Sequence, residues 1–154
     1  MVISIISLLS SVVLASLTVA RTKAVDARIK SDLNEIRRAV VSYAIDNNLP
    51  FNLENSGCGA GGNALGWYDQ DYNAVNGSIQ DCLVNGGYLT PEINDPQRGK
   101  TADDINGHHR YMMRTCSGNL ILMANLKSKP NSDVSVVCGN YDTSYGMDYF
   151  VEVR

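Results

Sequence analysis

The sequence predicts an α+β fold, a long N-terminal α-helix whose C-terminal half packs on a small antiparallel β-sheet. Three observations carry this expectation. Residues 1–20 hold no charge. Apolar residues then recur at helical spacing as far as Tyr43, and short strand-like runs separated by tight turns fill the C-terminal third. At 154 residues the chain has the size of one ordinary domain.

The first twenty residues, MVISIISLLSSVVLASLTVA, contain fourteen apolar side chains and six Ser or Thr. About 20 residues at a rise of 1.5 Å span a hydrocarbon core of roughly 30 Å, so the run reads as a membrane anchor. A cleavable secretory signal is the rival, but nothing positive precedes Val2 and no clean A-x-A site follows. No Gly, Pro or turn cluster separates Ala20 from Asn47, so the helix is expected to continue. Beyond the apolar run, Val25, Ile29, Leu33, Ile36, Val40 and Tyr43 form one stripe, with charges on the other faces. Asp26 and Lys30 read as an acid-to-base pair on a solvated face. The pattern is short for a coiled-coil seam, and packing on the chain's own core is preferred. Asp46-Asn47-Asn48, with Pro50 beyond, should end the helix. The chain thus divides into an apolar half-helix, residues 1–24, and a head, residues 25–154, which includes the amphipathic half 25–48.

Residues 51–66, rich in Gly, Asn and Ser, read as an irregular loop. Ser78 can cap a short helix through Asn85, with Ile79, Leu83 and Val84 on one side and Gly86-Gly87 ending it. Strand-like runs follow at His109–Thr115, Asn119–Leu126, Asp133–Cys138 and Tyr149–Val153, with Cys116-Ser117-Gly118 as one of the turns. One face of such a sheet must be covered, and the stripe Val25–Tyr43 is the available cover.

Charge narrows the function classes. Residues 21–45 carry +3 and residues 46–154 carry −6, so the head lacks the basic face of a nucleic-acid binder. Cys58, Cys82, Cys116 and Cys138 are an even set with no C-x-x-C spacing, which favours two disulfides in an oxidising compartment over zinc. Three connectivities are open. Cys58–Cys82 with Cys116–Cys138 is preferred, the first stapling the irregular loop and the second tying two strands. Arg21 and Lys23 alone would place the head in the cytoplasm by the positive-inside bias, and the cysteines outweigh them.

Several motifs only imitate chemistry. Gly57-Cys58-Gly59-Ala60-Gly61-Gly62 matches G-x-G-x-x-G, yet it follows no strand and opens no helix. Asp69-x-Asp71-x-Asn73 begins like a calcium loop, but Ala74 replaces the required Gly and Gln80 the closing Glu. His108 and His109 are adjacent and would point to opposite faces of a strand. Asn76-Gly77-Ser78 is a glycosylation sequon. No Ser/His/Asp or paired-carboxylate set stands out, so no enzyme and no cofactor are expected.

The N-terminal segment resembles the first helix of type IV pilins and type II secretion pseudopilins. The run Ser31-Asp32-Leu33, Ile36, Ala39-Val40 and Tyr43, then Asn47 and Pro50, carries the likeness most specifically. Gly66-Trp67, Leu83, Gly87-Tyr88-Leu89 and Asp95-Pro96 fit the pseudopilin pattern in the head, and Leu122, Ala124 and Leu126 fit more loosely. The family's leader-peptidase site and early Glu do not occur in the sequence, which aligns from inside the usual mature helix. Ser7, Ser10, Ser11 and Ser16 stand in an apolar half that in the family often holds Gly and Pro.

The resemblance implies a pilin-like fold and a subunit of a type IV pilus-like or pseudopilus filament, a helical polymer of this chain. Its core would be Val2, Ile3, Ile5, Ile6, Leu8, Leu9, Val12, Val13, Leu14 and Leu17. It further implies an inner-membrane anchor before assembly, assembly machinery as partner, and a final place on the cell surface. Family members often bind calcium in head loops, which makes Asp69, Asp71, Asn73, Asp142 and Asp148 weak candidates. The alternative is a membrane-anchored extracytoplasmic binding module that uses Trp67, Tyr68 and Tyr72.

Overall fold

The computed structural model describes residues 2–70, 73–90, 92–99, 110–128 and 145–154; within the first helix, side chains are described for residue 6 and from residue 9 onward. Helix α1 runs unbroken over Val2–Asp46. Its end is a Schellman arrangement. Asn48 adopts a left-handed backbone (φ 51°), its N–H reaches Ile45 O (3.2 Å), and the Leu49 N–H reaches Ala44 O (2.8 Å). Asn tolerates this conformation better than most side chains, and Leu49 packs back on the core.

Ile29, Leu33, Ile36 and Val40 are fully buried, and Val25 and Tyr43 pack half-buried beside them. The stripe lies on a four-stranded antiparallel sheet of β1 (Gly66–Trp67), β2 (Met112–Cys116), β3 (Asn119–Ala124) and β4 (Tyr149–Val153), in the order β1-β2-β3-β4. Strands β2 and β3 join through Ser117 and Gly118, both at positive φ (52° and 87°), the two-residue turn whose twist matches a hairpin. Helix α2 (Ile79–Asn85) opens on a complete capping box, with Ser78 Oγ accepting from Asp81 N and the Asp81 carboxylate accepting from Ser78 N.

Four expectations need correction or fall outside view. The loop 51–66 does not stay irregular to its end, because Gly66–Trp67 pairs with Met112 and Met113. Strand β2 spans Met112–Cys116, starting later than the predicted run His109–Thr115, of which His109 lies outside the described residues. So does the expected strand at 133–138. The sheet is also buried on both faces. Met113, Leu120, Leu122, Ala124 and Val153 face α1, while Met112, Ile121, Met123 and Met147 form a second cluster with Trp67 and Phe150. A continuous apolar run such as Leu120–Ala124, without alternation, is the signature of that double burial.

Candidate assembly surface

The apolar half of α1 stands clear of the head. Ile6, Leu9, Val12, Val13, Leu14, Leu17 and Val19 are each between 44 and 65% exposed, whereas Ile29, Leu33, Ile36 and Val40 further along the helix are sealed. At about 100° per residue these side chains spread over roughly 220° of the helix, wider than a single core-facing stripe. Val2, Ile3, Ile5 and Leu8 lie in the same helix, with side chains outside the described residues. Among the described residues no helix is long and apolar enough to cross a membrane.

Three hydroxyls of this half turn inward. Ser16 Oγ donates to Val13 O (2.9 Å), Thr18 Oγ1 to Leu14 O (3.0 Å) and Thr22 Oγ1 to Thr18 O (3.1 Å). Each of the three spends its proton on a carbonyl three or four residues back, so these side chains present no unsatisfied donor.

Where the helix meets the head, acids fasten it. The buried Asp26 carboxylate accepts from the backbone N–H of Lys127 (2.7 Å) and of Ser128 (3.2 Å), two residues just beyond β3. This corrects the surface pair expected with Lys30, whose ammonium instead sits 5.1 Å from the centre of the Tyr149 ring on β4. Nearly two turns on, Asp32 accepts from Tyr111 Oη (2.7 Å) and lies 3.9 Å from Arg28. Burial raises the Asp32 carboxyl above its ordinary range, against the opposing pull of the Tyr111 hydrogen bond and of Arg28. Tyr111 is itself pushed upward by burial and by that carboxylate. Sequence reasoning missed Asp26. The signal was its place three residues before Ile29 and seven before Leu33, on the buried stripe.

The residues that resembled chemical motifs are occupied by structure. Asp69 is held between Arg98 and Arg110, the latter at 3.3 Å. Asp148 Oδ1 accepts from Leu126 N (2.7 Å), and Asn73 sits at φ 55° in a turn. Asp71 and Asp142 lie outside the described residues. Among the described residues no three His, Cys, Asp or Glu are grouped to hold a metal.

The glycine run folds on itself, with Gly57 N donating to Gly62 O (2.8 Å) at positive φ, and offers no phosphate cradle ahead of a helix. In the sequon, Asn76 Nδ2 donates to Ser56 O (2.8 Å) and Ser78 is spent as a cap. Of the aromatics expected to touch a ligand, Tyr68 is fully buried and Trp67 stacks edge-on with Tyr145 at 5.5 Å. Tyr72 and His108–His109 lie outside the described residues. An open concavity of about 390 Å³, lined among others by Phe51, Asn119 and Arg154, holds no paired acid and base.

No protein family, curated protein or solved structure matches the chain.

The disulfide Cys58–Cys82 is formed, joining the glycine-rich loop to α2. Cys116 is disulfide-bonded as well, and Cys138 lies outside the described residues. The first bond packs under the helix end, where Tyr43 Oη lies 3.6 Å from Cys58 Sγ. It thereby ties the loop to the stripe that anchors α1.

Proposed function

We propose that the chain is a structural subunit that polymerises through its apolar half-helix into a type IV pilus-like or pseudopilus filament. The observation that carries this reading is the exposed apolar half of α1, continuous with a helix firmly rooted in the head. At about 25 cal/mol per Å², leaving even about 1,000 Å² of such surface in water costs on the order of 25 kcal/mol. Lipid removes that cost before assembly, and a bundle of identical helices removes it afterwards. Moving from one to the other is nearly neutral in hydrophobic terms, and small Ser and Ala side chains favour close helix approach. The subunit is held in the inner membrane, passes through assembly machinery and ends in an extracellular filament, with no catalytic role.

The test is Leu9→Asp or Val13→Asp. A carboxylate at either position should abolish filaments seen by electron microscopy of sheared surface material, while the head keeps its Cys58–Cys82 bond. Filaments that persist would reduce the helix to an anchor and end the proposal.

A further inference from the structure

The amphipathic half of α1 carries opposite charge on its two flanks, and each flank is located by a contact to the head. Lys23, Lys30 and Arg37 recur every seventh residue, which at 3.6 residues per turn keeps them in one row. Lys30 over the Tyr149 ring fixes this row on the β4 side. Glu35 and Asp46 are eleven residues apart, close to three whole turns, and form a second row. Tyr88 Oη, which donates to Asp46 (3.0 Å), and Tyr111 on the neighbouring Asp32 fix that row on the opposite side. Among the described residues Lys23, Arg37 and Glu35 make no ion pair; two cations also lie on the acidic side, Arg28, which is 3.9 Å from Asp32, and Arg21, which precedes the stretch Glu35–Asp46 and lies outside it.

We infer that these flanks are the two halves of one interface, in which the cationic β4 side of one copy receives the acidic side of the next. This rests on the filament reading above and specifies how neighbouring heads meet. Sliding one helix about 16 Å along a parallel neighbour leaves Lys23 within roughly 2 Å of the level of Glu35, and Arg37 equally close to the level of Asp46, at 1.5 Å per residue. Both offsets fall within side-chain reach. The contact joins different faces of identical subunits, so it propagates instead of closing. Each exposed pair contributes little by itself, and the rows set register and partner face while the apolar half supplies affinity.

The experiment uses the full-length chain in two double variants, Lys23→Glu with Arg37→Glu, and Glu35→Lys with Asp46→Lys. Each should raise the concentration needed for assembly by about tenfold or more, because like charges then face each other. An equal mixture of the two should assemble again, since one variant is acidic on both flanks and the other cationic on both. Helical circular dichroism and the Cys58–Cys82 bond check that both fold. Should a reversal unfold the head, Lys23→Gln with Arg37→Gln replaces it, and its filaments should lose most of the wild type's sensitivity to salt. Assembly of every variant at wild-type concentration, or a mixture no better than its parts, would overturn the interface while leaving the filament standing. A wild type that forms no filaments would remove the filament reading itself.

Discussion

Replacing Asp26 by Ala tests how the helix is fastened to the head. The carboxylate is 6% exposed and accepts two backbone hydrogen bonds, at 2.7 and 3.2 Å. Hydrogen bonds to a charged acceptor contribute roughly 1.5–3 kcal/mol each. Lys127 and Ser128 are exposed residues, so water can satisfy part of what their N–H groups lose. The longer bond also counts for less, and the expected loss is about 3 kcal/mol in total. Asp26→Asn, which keeps one acceptor oxygen in place, should lose about half of that.

The assay is urea unfolding of the full chain in detergent, followed by the near-ultraviolet signal of Trp67 and its neighbours. Amide hydrogen exchange at Lys127 and Ser128 reports the same event locally, and both amides should exchange faster in the Ala variant. A loss under about 0.5 kcal/mol, the scale of an ordinary surface substitution, would refute the assignment of Asp26 as a fastener. So would unchanged exchange at the two amides.

Further outcomes follow from neighbouring groups. Because the folded Asp32 carboxyl is raised above 3.8, it favours the fold most when protonated, and that contribution falls away as pH rises from 3.8 through the raised value. Asp32→Asn keeps an acceptor for Tyr111, so the melting temperature of wild type minus variant should decrease as pH climbs through this window; a difference that is flat or grows with pH refutes it. The Cys58–Cys82 bond spans a separation of 24 residues, and its removal as Cys58→Ala with Cys82→Ala should cost about 3.5 kcal/mol on the loop-entropy estimate. A thermal melt within two degrees of wild type would show that the loop needs no staple.

The parts of the fold that sequence made plain are those whose signals are local. Helix α1 announces itself through contacts three and four residues apart, its end through Asn47-Asn48 and Pro50, and α2 through Ser78 with Ile79, Leu83 and Val84 on one side. The β2–β3 hairpin declares its turn at Ser117-Gly118. What stayed hidden depends on distant partners. Asp26 has Lys30 one turn away as a plausible mate, but its true partners lie 101 and 102 residues on. The acid Asp69 looks like an oxygen ligand until Arg98 and Arg110 arrive from elsewhere in the chain. A two-residue strand such as β1 has no periodicity to read, and only its pairing with Met112 and Met113 creates it. Tyr68 is polar at one end and aromatic throughout, so its burial is decided by what folds over it.

The rooted helix also has a mechanical meaning. A pull on its apolar end runs along the axis and loads the contact between α1 and the sheet in shear. From Ile29 to Ala44 the buried stripe is about 23 Å long at 1.5 Å per residue. Its interdigitated side chains would have to slip together, whereas a hairpin peeled from one end gives way one rung at a time. Asp26 sits at the near end of that stripe, so it meets the strain first and shields the leading turn from lifting. The same anchorage makes the head stiff to tension and compliant to a sideways push, which levers the helix about its root near Val25.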